Sequence, residues 1–345
     1  MKVGRLYRRG GCVRTGVPAG SSKERESMSR LQKLTACCMT VLLLLALTVP
    51  GTLAAQVVLP TDMGAPAYSY TAELAVEPRV AGTGAELNAA HKVADWFTAA
   101  GYEPEFQKFV FGQRGQYHSQ NVIVRKPAVN TVAGTPLVVV GAHYDSVAVG
   151  KGADDNASGV AAMLEVAARL KSQELPYDIV FIAFGAEEAG LKGSKYYVGK
   201  MSDEDKARTI AMINFDSLIV GDFCYIHAGL NEKTWARDEM LGIAEEYGLP
   251  IITHGSPKYP AGLTPNEFSD YTAFNKAGIP IVAFEATNWE IGNLDGYEQT
   301  EEYGSFWHTA NDDLAIIESK LPGRPMEHLS AYTTLVWVFL RDLTP

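Results

Sequence analysis

Four short apolar runs rich in β-branched residues, interspersed with amphipathic helical segments, constrain the fold of this chain more than any other feature of its sequence. The runs cover residues 136–142, 178–184, 209–215 and 280–285. The helical segments cover residues 86–100, 157–170, 232–247, 271–277 and 327–340. A strand that is apolar on both faces must be covered on both faces, as in a parallel sheet between layers of helices. The sequence therefore predicts an α/β fold with a mixed, mostly parallel central sheet and helices on both faces.

Polar residues follow the predicted strands at the points where ligands bind in such sheets, beyond the carboxyl ends of the strands. The residues at these ends are His143 and Asp145 after the first run, Glu187 and Glu188 after the second, and Asp216 after the third. The glutamate pair stands between two glycines directly after an apolar strand, a setting that fits a solvated helix face poorly. Because the carboxyl ends of parallel strands meet at one edge of a sheet, these residues are predicted to form one site.

Two further features complete the set of candidate ligands. Asp154 and Asp155 precede the helical segment at 157–170, and His308 stands in a Trp-His-Thr sequence near the C terminus. Each feature alone has an ordinary structural explanation, since an aspartate before a helix is commonly an N-cap. Together the histidines and carboxylates form a mixed ligand set that suits Zn²⁺, and also Co²⁺ or Mn²⁺.

The motifs around these residues resemble those of the secreted bacterial dizinc aminopeptidases, the relatives of the Streptomyces and Vibrio leucine aminopeptidases. They are His143-x-Asp145, Asp155-Asn-x-Ser-Gly, Gly-x-Glu187-Glu188-x-Gly, Asn-x-Asp216 and His308-Thr. The branch that includes the alkaline phosphatase isozyme conversion aminopeptidase resembles more of the chain. Its further motifs are Asn-Phe-Asp-Ser-Leu-Ile-Val-Gly-Asp at 214–222, Phe-Glu-Ala-Thr-Asn-Trp at 284–289 and Leu-Pro-Gly-Arg at 321–324. This likeness runs from about Arg79 to His328 and implies a zinc-dependent exopeptidase fold of the phosphorylase/hydrolase-like type.

The resemblance implies a role for each matching ligand. His143 and Asp216 would hold one zinc ion, and Glu188 and His308 would hold the other. Asp155 would bridge the two, so that two Zn²⁺ per chain are expected. Two divalent cations are balanced by three ligand carboxylates and one hydroxide, which leaves the neighbouring glutamate free for another task.

By the same resemblance, Glu187 would be the general base that takes a proton from a metal-activated bridging water and passes it to the leaving amine. Asp145 would accept a hydrogen bond from the far nitrogen of His143 and fix its tautomer. The family's bridging aspartate commonly precedes a cis peptide bond, so the bond between Asp155 and Asn156 is a candidate for that conformation.

The chain departs from the family pattern at two places. Some members carry a tyrosine beside the distal histidine, where this chain has Trp307, so Trp307, Tyr297 and Tyr303 are all candidates to hold the transition-state oxygen. Asp270 stands in Ser-Asp-Tyr instead of a family Ser-Asp-His motif, and either a helix cap or a functional role fits it. The other histidines have no matching spacing and are predicted to be structural or surface residues: His91, His118, His227, His254 and His328.

The sequence thus predicts a zinc metallopeptidase that removes N-terminal residues from peptides or exported proteins, and the branch resemblance implies a preference for N-terminal arginine. A carboxypeptidase or dipeptidase on the same core would need clustered basic residues near the motifs, and the sequence has no such cluster there. A glutaminyl cyclase-like acyltransferase would use one zinc, whereas both ligand sets are complete. A binding protein that had lost catalysis would lack a ligand or the base, and none is missing.

The first 55 residues differ in charge from the rest of the chain. The whole sequence has 30 Lys and Arg and 40 Asp and Glu, of which nine and two precede residue 56, so the remainder carries a net charge of −17. Such an acidic body excludes nucleic acid as a partner, because phosphate contacts need a basic surface.

The same segment has the order of a secretory signal, with Arg30 and Lys33 before an uncharged run at 34–49 and small residues after it. Residues 28–55 are therefore predicted to be a signal peptide, cleaved near Ala54 and Ala55. The expected location is the periplasm or the medium, with no membrane association after cleavage. An uncleaved membrane anchor is the alternative, although the run is short for a bilayer span of roughly 20 residues.

The remaining boundaries follow from the signal peptide. Residues 1–27 are predicted to be an over-extended start, with translation beginning at Met28, and residues 56–345 to be a single catalytic domain. Of four cysteines, only Cys224 lies in that domain. The mature chain is therefore expected to have no internal disulfide and one buried thiol.

Overall fold

The computed structural model describes residues 58–231, 233–265 and 267–345. The predicted over-extended start, residues 1–27, and the predicted signal peptide, residues 28–55, lie outside the described residues. Cys224 is buried and free, and burial raises the pKa of its thiol to about 12. Among the described helices, none combines the length and the hydropathy that crossing a membrane requires.

The strands of the described chain form one sheet. They are β1 (Glu105–Phe111), β2 (Tyr117–Lys126), β3 (Leu137–His143), β4 (Asp178–Phe184), β5 (Thr209–Phe215), β6 (Phe223–Gly229), β7 (Ile251–Ile252), β8 (Leu263–Thr264) and β9 (Ile281–Thr287). Their order is β1-β2-β4-β3-β5-β9-β6-β7, and β8 pairs with β6. β4, β3, β5 and β9 run parallel in the centre, whereas β1, β2 and β6 join antiparallel. The predicted mixed, mostly parallel sheet is confirmed.

Helices cover both faces of this sheet. They are α1 (Ala65–Leu74), α2 (Gly84–Ala99), α3 (Gly159–Leu170), α4 (Lys192–Lys200), α5 (Asp203–Arg208), α6 (Trp235–Tyr247), α7 (Tyr271–Lys276), α8 (Leu314–Lys320) and α9 (Arg324–Asp342). On one side α3 packs against the sheet and against α1 and α9. On the other side α4 and α7, through residues such as Phe274, share a buried cluster with alternate residues of the central strands, including Val139 and Ile182. The sheet is thus the middle layer of three, and its carboxyl edge is left for loops.

Candidate metal centre

Three neighbouring parallel strands deliver the first ligands to one edge of the sheet. His143 is the last residue of β3, Asp216 directly follows β5, and Glu187 and Glu188 lie in the turn after β4. Strands β4, β3 and β5 are adjacent, and paired strands lie about 4.8 Å apart. The side chains at their ends are therefore brought together by the sheet itself.

Two groups of side chains meet there and share one carboxylate. His143 Nε2 lies 3.2 Å from Asp155 Oδ1 and 3.4 Å from Asp216 Oδ1. His308 Nε2 lies 3.2 Å from Asp155 Oδ2 and 3.2 Å from Glu188 Oε2. In each group the ligand atoms lie within 4.8 Å of one another. Asp155 therefore turns one oxygen toward each group, which is the arrangement of a carboxylate that bridges two cations.

The chemistry of these groups fits zinc. Each group offers one imidazole nitrogen and two carboxylate oxygens, the donor atoms that Zn²⁺ prefers. Burial raises the pKa of Glu188, and its Oε1 is buried without a hydrogen-bond partner in the described part of the chain. Hydrogen bonds to Asp155 and Glu188 raise the pKa of His308 to about 11. Carboxylates and imidazoles that crowd together in this way, with an oxygen left unsatisfied, are suited to divalent cations.

Asp145 is buried behind the site and holds the turn that carries the glutamate pair. Its two oxygens accept hydrogen bonds from the backbone N–H groups of Glu187, at 2.9 Å, and Glu188, at 3.1 Å. His143 Nδ1 lies 3.2 Å from the main-chain oxygen of Asp145 and 3.6 Å from its Oδ1. The carboxylate thus stands beside the far nitrogen of His143, as expected, but beyond hydrogen-bond distance. The carbonyl oxygen is the nearer acceptor, and it is the atom placed to select the tautomer.

The side chain of Asp155 makes no capping hydrogen bond to the helix that follows it. Ala153–Ser158 is a π-helical turn in which Asp155 and Asn156 have non-helical backbone angles, and the peptide bond between them is cis. Asn156 anchors the turn, because its Nδ2 donates to Phe215 O at 2.8 Å and its Oδ1 accepts from Gly159 N at 2.9 Å. The N-cap interpretation of Asp155 is therefore replaced by one in which its side chain faces both histidines.

Sequence reasoning missed Asp312, a buried carboxylate under this turn. Its Oδ1 accepts from Asp154 N at 2.6 Å and its Oδ2 accepts from Asp155 N at 3.2 Å. Arg79, also buried, donates to the carbonyl oxygens of Lys151 at 2.6 Å and Gly152 at 2.8 Å. These two charged side chains position the backbone that leads into Asp155. The sequence carried no signal for either role, since both act on main-chain groups far away in the chain.

Replacing Asp312 by asparagine is expected to lower the free energy of unfolding by about 1–3 kcal/mol, because one of two buried N–H groups loses its acceptor. Chemical denaturation of the purified protein measures this change. Asp313→Asn is the matched control, since Asp313 is a partly exposed helix cap paired with Lys151 at 2.7 Å, and asparagine is also a good cap. Equal effects of the two substitutions would contradict the role given to Asp312.

Asp216 is held by Ser269, the residue before Asp270 in the Ser-Asp-Tyr motif. Ser269 Oγ donates to Asp216 Oδ2 at 2.6 Å and accepts from Asn214 Nδ2 at 3.0 Å. Asp270 makes no helix-cap hydrogen bond, and burial raises its pKa to about 7. The Ser-Asp-Tyr motif therefore supports the site through its serine, and the helix-cap interpretation of Asp270 does not hold.

Glu187 lies beside the two ligand groups and belongs to neither of them. It lines a cavity of about 370 Å³ together with the five candidate ligands. Burial raises its pKa, the carboxylates of Asp270 and Asp216 add to this effect, and His143 opposes it. A carboxylate in such surroundings holds a proton more readily than an exposed one, which is the property a general base needs near neutral pH.

The three aromatic candidates to hold the transition-state oxygen differ in whether they line the cavity. Trp307 and Tyr297 line the cavity, with ring centroids 5.6 Å apart. The indole N–H of Trp307 is buried and has no acceptor among the residues that the structure describes. Tyr303 packs against Phe306 and Lys320 instead and does not line the cavity.

Comparison with known proteins places this site in a family. Residues 121–333 match the model of peptidase family M28. The chain belongs to peptidase family M28. It is 32% identical over 278 residues to the alkaline phosphatase isozyme conversion protein of Escherichia coli, covering 71% of this chain and 80% of that protein. It is 33% identical over 209 residues to aminopeptidase YwaD of Bacillus subtilis, covering 59% of this chain and 41% of that protein. The resemblance read from the motifs is confirmed, and the predicted metallopeptidase is confirmed at the level of the family.

Solved structures of two enzymes share the fold of this chain. A zinc aminopeptidase from Bacillus subtilis superposes with a TM-score of 0.66 at 20% identity, covering 83% of this chain and 97% of that one. Porphyromonas gingivalis glutaminyl cyclase superposes with a TM-score of 0.63 at 22% identity, covering 82% and 99%. The same fold thus carries both the predicted peptidase chemistry and the alternative acyltransferase chemistry, and the choice between them depends on the site.

Proposed function

We propose that this M28 peptidase is a two-zinc aminopeptidase that removes N-terminal residues from peptides or proteins. The observation that carries the proposal is the shared carboxylate of Asp155, with one oxygen in each of two complete ligand groups. His143 and Asp216 would complete one zinc site, and Glu188 and His308 the other. Bound zinc would supply Lewis acidity, which polarises the scissile carbonyl and acidifies water.

The proton transfers of the reaction are assigned to Glu187. Its carboxylate stands in the cavity next to both ligand groups, and it has no place in either. It accepts the proton of the attacking water and delivers it to the leaving amine. Asp145 binds the backbone N–H groups of Glu187 and Glu188 with one carboxylate, so base and ligand are held in a fixed relation.

The charge of the cavity favours an amino terminus over a carboxyl terminus. Its described lining holds seven carboxylates, including Glu187, and none of the described lining residues is a lysine or an arginine. A substrate's free ammonium group is attracted to such a cavity, whereas a C-terminal carboxylate is repelled. This distribution supports aminopeptidase over carboxypeptidase or dipeptidase activity, and it is compatible with a preference for N-terminal arginine.

Two complete ligand groups also favour the peptidase over the glutaminyl cyclase that shares its fold. The acyltransferase alternative needs one zinc ion, so it would not use the ligand group of His143 and Asp216. Cyclisation of an N-terminal glutamine, in place of its removal, is the reaction that separates the two.

A panel of aminoacyl-nitroanilides tests the proposed function. Hydrolysis is expected with free N-termini, to disappear after treatment with a chelator, and to return on addition of Zn²⁺, because the ligand groups are empty without it. Metal analysis is expected to find two zinc ions per chain. Cleavage restricted to blocked N-termini, or cyclisation of glutaminyl substrates without hydrolysis, would contradict the proposal.

We further propose that residues 56–345 form the mature enzyme, released from the signal peptide at 28–55 into the periplasm or the medium. Leu59–Pro345 form one compact unit, which supports a single catalytic domain. N-terminal sequencing of the exported protein is expected to start near residue 56.

A further inference from the structure

Glu285 is a carboxylate in the cavity to which the proposed mechanism gives no task. It stands near the carboxyl end of β9, the strand next to β5. The residue before it, Phe284, accepts a hydrogen bond at its main-chain oxygen from Asp216 N at 3.1 Å. In the parallel register of β5 and β9, Phe215 pairs with Phe284, so Glu285 stands level with the proposed zinc ligand Asp216 at the same edge of the sheet. It also lines the same cavity.

Two donors hold one oxygen of Glu285. Trp289 Nε1 donates to its Oε1 at 2.6 Å, and His227 Nε2 lies 2.9 Å from the same atom. The pairing of β6 with β9 places Tyr225 opposite Glu285, so His227, two residues further along β6, is a diagonal neighbour on the same face. These contacts fix the carboxylate and leave its Oε2 with no hydrogen-bond partner within the described ranges.

Both ring nitrogens of the histidine beside Glu285 have a hydrogen-bonding neighbour. His227 Nδ1 faces the hydroxyl of Thr253 at 3.4 Å, so the hydroxyl can donate to this nitrogen while Nε2–H donates to Glu285. In that tautomer neither donor to Glu285 carries a charge. With the ring in that tautomer, Glu285 accepts hydrogen bonds from two neutral N–H groups through one oxygen.

Two other carboxylates of the cavity lining have lysine partners. Glu267 lies 3.3 Å from Lys276, and Asp295 lies 2.7 Å from Lys258. Glu285 makes no ion pair with a lysine or an arginine in the described chain, and its side chain is only 18% exposed. An unbalanced negative charge in a partly buried cavity wall attracts a cation more strongly than an exposed surface carboxylate does.

We propose that Glu285 is the specificity-determining residue that receives the positively charged side chain of an N-terminal arginine or lysine, an inference that rests on the proposed aminopeptidase function. Its free oxygen accepts from a guanidinium or an ammonium group in a charge-assisted hydrogen bond. Phe268 and Tyr297, which also line the cavity, offer apolar surface for the aliphatic stem of such a side chain. His227 and Trp289 are positioning residues that act through Glu285.

The test compares arginyl-, citrullyl-, lysyl- and leucyl-anilides as substrates of the wild-type enzyme and of Glu285→Gln. Citrulline has nearly the shape of arginine without its charge. Wild type is expected to favour arginine over citrulline by roughly 10- to 100-fold in kcat/KM, as a charged hydrogen bond predicts. Glu285→Gln is expected to remove this preference while leucine hydrolysis changes little, since leucine has no charge to lose. Glu267→Gln is the matched control, and it is expected to keep the wild-type ratio because Glu267 is a rim carboxylate with a lysine partner.

The outcomes separate the possible failures. Equal losses on arginine and leucine in Glu285→Gln would overturn the inference, because they would assign Glu285 to the α-ammonium group common to all substrates. A wild-type enzyme that does not distinguish arginine from citrulline would overturn it without any variant having to fold. A wild-type enzyme that hydrolyses none of these anilides would contradict the proposed aminopeptidase function itself.

Discussion

Replacing Glu187 by glutamine is expected to lower kcat by about 10³-fold, within the range that loss of a general base produces. Glutamine has nearly the same size and cannot accept the proton of the attacking water. Because Glu187 belongs to neither ligand group, both zinc ions are expected to stay bound. Steady-state kinetics with leucyl-nitroanilide, combined with metal analysis and a thermal unfolding curve, measures all three quantities.

The pH dependence of the same variant adds a second readout. Burial and the neighbouring carboxylates raise the pKa of Glu187, so the wild-type rate is expected to fall on the acidic side as this carboxylate becomes protonated. Glu187→Gln is expected to lack that acidic limb. A variant that retains more than a tenth of wild-type kcat, with the limb intact, would remove Glu187 from the proposed mechanism.

Replacing Asp155 by asparagine is expected to abolish activity, with a loss of at least 10³-fold in kcat/KM, because zinc chemistry supplies several kcal/mol of transition-state stabilisation and each 1.36 kcal/mol is about tenfold in rate. The reason lies in the geometry, since Asp155 presents one oxygen to each ligand group. An amide offers a single neutral oxygen, and it cannot bridge two cations as a carboxylate does. Metal analysis is expected to show weakened binding at both sites.

The effect of the shared carboxylate is isolated by comparison with a variant that loses a ligand of one group only. His308→Ala is expected to weaken one zinc site and to leave the group of His143 and Asp216 assembled, because His308 belongs only to the ligand group of Asp155 and Glu188 among the described residues. Zinc titration of the two variants distinguishes loss at one site from loss at both. If Asp155→Asn bound two zinc ions as tightly as the wild type, the shared-carboxylate arrangement would not describe the enzyme.

The strands that the sequence predicted are those whose residues are almost all apolar, so that their burial on both faces can be inferred without the structure. Strands β4 and β5 have the predicted bounds, since all of their residues except Asn214 are apolar or sit at an end. Strand β2 was not predicted, because its first half is the polar sequence Tyr-His-Ser-Gln-Asn. Its buried Asn121 is satisfied by Gln107 and by the main-chain oxygen of Gly193, partners that exist only after folding. Local patterns cannot reveal a polar strand whose hydrogen bonds are completed by distant elements.

The candidate site divides in the same way. Four of its residues stand in short motifs at strand ends, which hydrophobic patterning alone can locate: His143, Glu187, Glu188 and Asp216. Asp155 and His308 stand in short motifs elsewhere, before a helix and near the C terminus. Asp312 and Ser269 had no such signal, although each holds a proposed ligand in place. Their contacts span large separations along the chain, and a supporting residue needs only a suitable distance and orientation. Glu285 combines both cases. The sequence showed its motif at 284–289, but only the folded structure showed the contacts of its side chain with His227 and Trp289.

The sequence by itself determined the fold class, the edge of the sheet at which the chemistry lies and the identity of the residues gathered there. These follow from periodicities of two and 3.6 residues and from the rule that parallel strands end together, which are properties of the chain and of its hydrogen bonding. Only the tertiary structure decided which oxygen of Asp155 meets which histidine and that a carbonyl oxygen and not a carboxylate lies nearest His143 Nδ1. It also decided that Glu285 pairs with no lysine or arginine among the described residues. Those outcomes depend on differences of a few tenths of an ångström between groups far apart in sequence, and only the packed side chains set such distances.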